Sequence, residues 1–344
     1  MVDEFERRVA ERCGRRYAVA LSSGTAALHL ALLNVGAAPG TVVAVPTMTF
    51  AATANAVAYT GAEPVFVDCD PVTGNLDPQL LREALTALRA ERAQVVAVVP
   101  VDLLGRSVDY TRITPVCEEH GVPVIADAAE SLGAGHAGRP AGSFGLAAAL
   151  SFNGNKIMTT SGGGMLLTDD AAFADRARYL STQARQPAVH YEHTEIGYNY
   201  RLSNVLAALG LAQLERLDAM IGRRRALRED YARVFSDISG ARIFQRDGDE
   251  VDNCWLSAVL VDPVTAGWHV DDLRAALGEY NIESRPLWKP MHQQPVFAGA
   301  RSFLTGAADE LFATGLTLPS GSSLGAAQRD QVMATIDGFL STRS

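Results

Sequence analysis

The chain has 344 residues, of which 48% are hydrophobic and 20% are charged, and 30 Lys+Arg against 39 Asp+Glu give a formal net charge of −9. This length fits two domains, or one large α/β domain with a smaller second one. An acidic chain without Lys/Arg clusters is not expected to bind nucleic acid. No apolar run approaches the ~18 residues of a membrane span, and the N-terminus reads as a charged helix rather than a signal peptide. We therefore expect a cytoplasmic protein with no membrane partner.

The four cysteines lie far apart, without a CxxC pair or a histidine at ligand spacing. This pattern predicts buried thiols and indicates neither a disulfide framework nor a metal site.

The first half of the chain alternates short apolar runs with helical stretches. The predicted strands are Tyr17–Leu21, Val42–Pro46, Pro64–Val67, Gln94–Val101, Val122–Ala126, Ala147–Phe152 and Met165–Thr168. The predicted helices are Thr25–Val35, Phe50–Tyr59, Pro78–Arg92 and Asp109–His120. This alternation is typical of an α/β fold whose sheet is mostly parallel and carries helices on both faces.

The second half predicts a smaller domain. A long helical pattern from Ser203 to about Phe235 predicts a linking helix. Beyond it, the pattern predicts a strand at Cys254–Val261, a helix at Val270–Tyr280, a short strand at Ile282–Arg285 and a terminal helix from about Ala326. We therefore predict a large domain over residues 1–235, including the linking helix, and a small α+β domain over residues 236–344.

The segment Ser22–Ala27 follows a predicted strand and opens a predicted helix. The free N–H groups and the dipole of a helix N-terminus suit a phosphate. Taken alone, the segment fits an ordinary N-cap with a tight glycine turn better. It also lacks the GxGxxG and GxxxxGK[ST] patterns of nucleotide-binding loops.

Two further strand ends carry residues that suit catalysis. Asp127 lies where ligands bind in open α/β sheets, although Asp127 with Glu130 also fits helix capping. Lys156 ends another strand, and Lys156 and Lys289 are the only two lysines among the 30 basic residues. A partly desolvated lysine can act as an amine nucleophile and form a Schiff base; a lysine on a surface loop is the ordinary alternative.

Together, these three features are what pyridoxal phosphate requires: an anion site, a partner for its pyridinium nitrogen and a lysine for the Schiff base. From about Tyr17 to the C-terminus, the sequence also resembles the DegT/DnrJ/EryC1/StrS sugar aminotransferases. The motifs are Ser22–Leu30 (SSGTAALHL), Pro46–Asn55 (PTMTFAATAN), Ile125–Gly133 (IADAAESLG), Ser151–Met165 (SFNGNKIMTTSGGGM), His190–Asn204 (HYEHTEIGYNYRLSN) and Arg285–Pro295 (RPLWKPMHQQP). The resemblance implies the fold-type I fold of pyridoxal phosphate aminotransferases: a large domain with a mostly parallel sheet flanked by helices and a smaller C-terminal α+β domain.

The resemblance also implies roles for individual residues. Lys156 would be catalytic and form the Schiff base, Asp127 would pair with the ring nitrogen, and Glu130 would lie near the ring hydroxyl. The remaining cofactor-binding residues that it implies are Gly24, Thr25 and Ser151 at the phosphate, Phe50 on the ring, and Ala26 and Asn153. Without the resemblance, Phe50 would read as a core aromatic.

The resemblance further implies a homodimer with shared active sites. Asn199 would reach the phosphate of the neighbouring subunit, although by itself it reads as a turn residue.

On the substrate side, Trp288, Lys289 and His292 are expected to border a sugar-nucleotide pocket, although a packed loop is the alternative for this Pro-rich segment. Arg285 or Lys289 is expected to meet the diphosphate or the carboxylate of the amino donor. Three segments, SFNGNK, RPLWKPMH and LPSGS (residues 318–322), are most similar to the branch that acts on UDP-linked 2-acetamido-4-keto sugars. The implied reaction is transfer of an amino group from glutamate to UDP-2-acetamido-4-keto-2,6-dideoxyhexose, which gives the 4-amino sugar.

Three other functions compete with this hypothesis. A sugar dehydratase of the same fold has histidine in place of the lysine, which Lys156 argues against. A non-catalytic regulatory or structural homologue has no need of an intact Asp127 and Lys156. Dinucleotide binding lacks its GxGxxG loop followed by an acidic residue about 20 positions later.

Overall fold

The computed structural model describes residues 1–244 and 251–343. Its helices are α1 (Val2–Arg12), α2 (Gly24–Asn34), α3 (Ala51–Tyr59), α4 (Pro78–Ala90), α5 (Tyr110–His120), α6 (Ala171–Ser181), α7 (Asn204–Leu214), α8 (Leu217–Val234), α9 (Pro263–Ala266), α10 (Val270–Glu279), α11 (Ala307–Thr314) and α12 (Ala326–Ser341). Its strands are β1 (Tyr17–Leu21), β2 (Thr41–Pro46), β3 (Glu63–Val67), β4 (Gln94–Val98), β5 (Ile125–Asp127), β6 (Gly135–His136), β7 (Arg139–Pro140), β8 (Ala147–Ser151), β9 (Gly164–Thr168), β10 (Ala241–Ile243), β11 (Ser257–Val261), β12 (Arg285–Pro286), β13 (Ser302–Phe303) and β14 (Gly315–Leu318).

The large sheet forms from two four-stranded parts, in the orders β1-β9-β8-β5 and β4-β2-β3-β13. The parallel bridges Val98–Val124 and Val101–Asp127 join the two parts. The pairs β5–β8, β2–β3, β2–β4 and β3–β13 are parallel, whereas β9 runs antiparallel to both β1 and β8. The chain turns back directly from β8 to β9 without a crossover helix, which is why these strands are antiparallel. The mostly parallel α/β sheet is confirmed.

Helices cover both faces of this sheet, so its central strands are apolar on both sides. All residues of β2 and β9 are buried, and Ala147, Ala148 and Ala149 of β8 have no exposed surface. Helix α2 is mostly apolar and is buried from Ala26 to Leu32, a stretch whose one polar side chain is His29. It therefore lies at the centre of the large domain, with its N-terminus at the carboxyl end of β1.

The single helix predicted from Ser203 to about Phe235 is wrong in one respect, because the structure divides it into α7 and α8. The break falls at Glu215 and Arg216, where no proline or glycine stands. Each half packs on a different part of the molecule: α7 contacts α1, and α8 contacts α12 and β10. Tertiary packing therefore causes the bend.

The residues after α8 form an antiparallel sheet of order β10-β11-β14-β12, covered by α8, α10 and α12 around buried Tyr231, Trp268 and Phe339. One segment returns to the large sheet. Strand β13 pairs in parallel with β3, and the Asp68 carboxylate after β3 accepts N–H bonds from Thr305, Gly306 and Ala308 at 2.8–3.0 Å. A boundary at residue 235 stays a prediction, and residues 245–250 and 344 of the small domain lie outside the described chain.

Within the described residues, every helix is too short or too polar to cross a bilayer.

Candidate active site

A cavity of 180 Å³ lies at the carboxyl ends of β1, β5 and β8, and we call it the Lys156 cavity. The predicted site residues that line it are Gly24, Thr25, Phe50, Asp127, Glu130, Ser151, Asn153, Lys156 and Trp288. They come from loops that are far apart in the sequence. The parallel strands bring them to one edge of the sheet, where ligands bind in open α/β folds.

Lys156 lies in the loop between β8 and β9, with its side chain only 10% exposed. Its Nζ is 3.7 Å from Oε1 of Glu130 and 4.1 Å from the ring centroid of Trp255. The indole Nε1 of Trp255 donates a 2.7 Å hydrogen bond to the carbonyl oxygen of Asn155. A carboxylate and an aromatic face thus hold the amine at the wall of the cavity.

Asp127 is buried at the end of β5. Its Oδ2 accepts the hydroxyl of Thr53 at 2.8 Å, and its Oδ1 accepts the N–H of Ala129 at 3.2 Å. Burial raises the pKa of this carboxyl. Both donors are neutral, and burial disfavours the ionised form of the carboxylate. A cationic ligand atom beside Asp127 would stabilise that ionised form.

Glu130 is equally buried, and burial raises its pKa to about 7, with the nearby Lys156 ammonium opposing the rise. Its Oε2 accepts the N–H of Leu104 at 2.7 Å. Leu104 has φ 56°, a left-handed conformation that is uncommon for leucine. This turn directs the Leu104 N–H toward Glu130 and fixes the carboxylate beside Lys156.

The N-terminus of α2 forms another wall of the cavity. Ser23 is its N-cap, and the Ser23 Oγ accepts the N–H of Ala26 at 3.0 Å, so the capping interpretation is correct for Ser23 and Ala26. The N–H groups at the start of a helix have no partner inside it, and Gly24 and Thr25 line the cavity there. A Cβ on Gly24 would lie 3.0 Å from the Cβ of Ser151. Glycine therefore lets the end of β8 approach a helix terminus suited to an anion.

A larger cavity of 870 Å³, which we call the outer cavity, shares Phe50, Asn155 and Trp288 with the Lys156 cavity. The rings of Phe50 and Trp288 meet edge to face with their centroids 5.7 Å apart. Arg285 and Lys289 line the outer cavity. The Nε and Nη2 of Arg285 contact Oε1 of Glu283 at 2.9 and 2.6 Å, so an adjacent carboxylate already offsets this charge.

Three predicted residues line neither cavity. Ala26 contributes the N–H that Ser23 caps. His292 lies between Thr47 and Asp309, with its Nδ1 2.7 Å from the Thr47 hydroxyl and its Nε2 3.0 Å from Oδ1 of Asp309. These contacts tie the segment after Lys289 to the end of β2, because the N–H of Met291 also donates to the carbonyl of Thr47 at 2.8 Å. His292 thus lines neither the Lys156 cavity nor the outer cavity, and its contact with a substrate stays a prediction.

Asn199 is exposed and pairs through its backbone with Thr182. On either side of it, Tyr198 and Tyr200 stack with their ring centroids 5.0 Å apart. The reach of Asn199 into a neighbouring subunit stays a prediction.

Sequence reasoning missed two residues that hold the site together. Thr53 lies inside the motif Pro46–Asn55, so its position in that motif was an available signal. Trp255 belongs to none of the motifs, and the fold alone places its ring under the amine of Lys156.

The sequence pattern of the DegT/DnrJ/EryC1/StrS aminotransferase family matches residues 1–337. The chain belongs to this family. It is 44% identical over 340 residues to EpsN of Bacillus subtilis (strain 168), named as a pyridoxal phosphate-dependent aminotransferase, covering 98% of this chain and 87% of that one. It is 39% identical over 341 residues to the GDP-perosamine synthase of Caulobacter vibrioides, covering 98% of this chain and 89% of that one.

Among solved structures, the chain is similar to a DegT DnrJ EryC1 StrS aminotransferase from Brucella abortus. The TM-score is 0.90 at 32% identity, over 98% of this chain and 90% of that one. The fold-type I fold, the aminotransferase activity and the pyridoxal phosphate cofactor are therefore confirmed.

The residues present fit this cofactor. The start of α2 and Ser151 offer N–H and hydroxyl groups to its phosphate, and the buried carboxylate of Asp127 suits a protonated ring nitrogen. Lys156 is the one lysine that lines the Lys156 cavity, and its amine suits a Schiff base.

Proposed function

We propose that the chain transfers the amino group of glutamate to the C4 keto group of a nucleotide-linked 4-keto-6-deoxy hexose. The substrate that we propose is UDP-2-acetamido-4-keto-2,6-dideoxyhexose. The observation that carries the proposal is the passage from the Lys156 cavity, past Phe50 and Trp288, into the outer cavity of 870 Å³. A small reaction chamber that opens into a much larger space, whose lining includes Arg285, Lys289 and Ser320, suits a substrate with one reacting carbon and a bulky polar remainder.

The comparisons support a nucleotide-linked sugar, since one relative is named for a GDP-linked product, GDP-perosamine. The joint occurrence of SFNGNK at Ser151–Lys156 and RPLWKPMH at Arg285–His292 supports the UDP-linked acetamido sugar instead of a GDP sugar. The nucleotide is therefore the part of the proposal that experiment must decide first.

Within this proposal, the residues of the chain have separate tasks. The bound cofactor supplies a ring that accepts the electrons left when a proton leaves the carbon that carries the transferred nitrogen. Lys156 removes and returns that proton as general base and acid. Glu130 and Trp255 hold the Lys156 amine in place, and Asp127 keeps a proton on the ring nitrogen.

We also propose that the enzyme is a homodimer with shared sites. Ile196 and Val205, on either side of Asn199, are 83% and 78% exposed. Exposed apolar side chains around a polar residue are typical of an interface between copies.

A panel of UDP-, GDP- and dTDP-linked 4-keto sugars, each incubated with glutamate and enzyme, tests the substrate by mass spectrometry of the products. We expect a 4-amino sugar from the UDP-linked acetamido substrate and none with Lys156→Ala. Preference for a GDP or dTDP sugar, or amination at C3, would show that the proposed substrate is wrong and would leave the aminotransferase activity in place. An unchanged visible absorbance on addition of glutamate would instead favour a non-catalytic homologue.

A further inference from the structure

A third cavity of 440 Å³ lies beside the loop that carries Lys156, and we call it the arginine cavity. It shares Asn155 and Lys156 with the Lys156 cavity and shares Asn155, Leu256 and Gly321 with the outer cavity. It therefore adjoins both the reaction chamber and the space proposed for the substrate.

The charged side chains that line this cavity are all basic. Arg216, Arg223 and Arg224 line it together with Lys156, and none of its described lining residues is acidic. The nearest carboxylates along the chain, Glu215 and Asp218, pair with arginines of α1. The start of α8 thus presents arginine side chains to the cavity, while the acidic side chains beside them serve another contact.

Arg224 is the buried member of the group, with 7% of its surface exposed. Its Nη1 donates to the carbonyl oxygens of Trp255 and Ser320 at 2.6 and 2.7 Å, while its Nε has no hydrogen-bond partner. Burial lowers its pKa to about 10. A cation buried against neutral carbonyls is stabilised further by an anion, which would restore part of its lost solvation.

The loop opposite these arginines carries the LPSGS motif. Gly321, Ser322 and Ser323 line the cavity, and the Ser322 carbonyl lies 3.5 Å from Nη1 of Arg223. The loop adds small polar residues to a cationic wall, which is a composition that suits phosphate oxygens.

We propose that the arginine cavity binds the diphosphate of the nucleotide-sugar substrate, with Arg216 and Arg223 as its cationic contacts and Arg224 as the residue that positions the Ser320–Ser323 loop. This inference rests on the proposed function. It moves the diphosphate away from Arg285, whose guanidinium is paired with Glu283. The carboxylates of glutamate are the other anions that the enzyme must bind, so the experiment separates the two substrates.

The test measures binding of UDP, pyrophosphate and uridine to the holoenzyme by titration calorimetry, for the wild type and the Arg216→Ala/Arg223→Ala double variant. Losing two charge-assisted contacts is expected to weaken UDP binding by about tenfold to a hundredfold. The affinity for pyrophosphate should fall in parallel, and the affinity for uridine should not change. Added salt should weaken UDP binding more in the wild type than in the variant.

Arg225→Ala is the matched control. Arg225 follows on the same helix, is exposed, and donates to the carbonyl of Asp252 at 3.0 Å outside the cavity. The Arg225→Ala variant should therefore bind UDP as tightly as the wild type. The absorbance change with glutamate should keep its concentration dependence in the double variant. If the double variant binds glutamate more weakly but binds UDP as the wild type does, the cavity binds the amino donor and the proposal is wrong. Equal UDP binding in the wild type and the double variant overturns it as well.

The same measurements keep the two proposals apart. Arginine-dependent UDP binding without turnover of any keto sugar would remove the proposed substrate and leave the diphosphate site. If the enzyme turns over a UDP sugar and the double variant leaves the KM for that sugar unchanged, the proposed substrate stands and the diphosphate site is wrong.

Discussion

The hydroxyl of Thr53 donates a 2.8 Å hydrogen bond to Oδ2 of Asp127, joining helix α3 to the end of strand β5. The Oγ1 of Thr49 lies 2.9 Å from that of Thr53. Because the Thr53 hydrogen is directed at the carboxylate, the Thr53 oxygen is left as an acceptor for the Thr49 hydroxyl, which also lies 3.3 Å from the carbonyl oxygen of Phe50. A pair of neighbouring hydroxyls therefore fixes the orientation of the carboxylate that we propose as the partner of the cofactor ring nitrogen.

Thr53→Val should lower the rate of the glutamate half-reaction by about tenfold, because it removes one hydrogen bond to a buried carboxylate and keeps the side-chain shape. Thr53→Ser retains the hydroxyl and should keep most of the rate. Stopped-flow absorbance on the holoenzymes measures both. Equal rates for the valine and serine variants would show that the hydroxyl does not orient Asp127.

Asp127→Asn should abolish most of the turnover and leave the fold intact. The amide keeps the shape but cannot hold a proton on the ring nitrogen. Burial raises the pKa of this carboxyl in the folded chain, so its ionised form opposes folding near neutral pH. The cofactor-free variant should therefore resist urea at least as well as the wild type. Wild-type turnover in a folded variant would contradict this role.

Replacing Lys156 by alanine or by arginine should abolish transamination. Alanine lacks the amine, and the guanidinium of arginine stays protonated and cannot form a Schiff base. Borohydride reduction of the wild-type holoenzyme, followed by peptide mapping, should locate the cofactor on Lys156. An adduct on Lys289 would show that the wrong lysine has been assigned.

Glu130 should make the stability of the cofactor-free protein fall as pH rises. Its pKa is about 7 in the folded chain against an ordinary 4.5, so the folded state keeps a proton that the unfolded state has released. The stabilisation is complete below pH 4.5 and is lost as pH rises to about 7. Urea unfolding of wild type and Glu130→Gln across this range tests it. The difference in unfolding free energy should shift in favour of the variant with rising pH, and a constant difference would contradict the raised pKa.

Shared active sites can be tested by mixing subunits. Dimers formed from Lys156→Ala and Asn199→Ala chains should recover one working site each, since one wild-type Lys156 meets one wild-type Asn199 from the other chain. Activity of re-equilibrated mixtures measures this, with each variant alone as the control. Heterodimers that form and remain inactive would place Asn199 outside the catalytic site of its neighbour.

The sequence predicts the large sheet well because each buried strand there is a short apolar run bounded by turn residues. Strands β1, β2 and β8 begin and end within a residue of their predicted bounds. The small domain is predicted less well. The two-residue strands β12 and β13 exist only through pairing with distant partners, so β13 leaves no local pattern to read.

The same distinction applies to the active site. Gly24, Asp127 and Lys156 follow predicted strands, so their meeting at one edge follows from the alternation of strands and helices. Trp255 and Arg224 cannot be found in this way. Their position depends on how the second half of the chain folds back onto the Lys156 loop, and nothing in the neighbouring sequence encodes that approach. The contact between His292 and Thr47 could not be predicted for a similar reason, since it depends on a turn after Lys289.

The segment between β12 and β14 connects the small sheet to the large sheet. Both ends of this stretch pair within the small sheet, through Arg285 with Thr317, while its middle pairs with β3 of the large sheet. A hinge opening between the sheets on this side would have to break those strand pairings and the bonds to Asp68. The N–H groups of Leu287 and Met291 donate to the carbonyls of Gly315 and Thr47 at 3.1 and 2.8 Å, so these amide hydrogens should exchange slowly. Trp288 and Lys289 between them should then form a stationary wall past which the substrate moves, rather than a flap that closes over it.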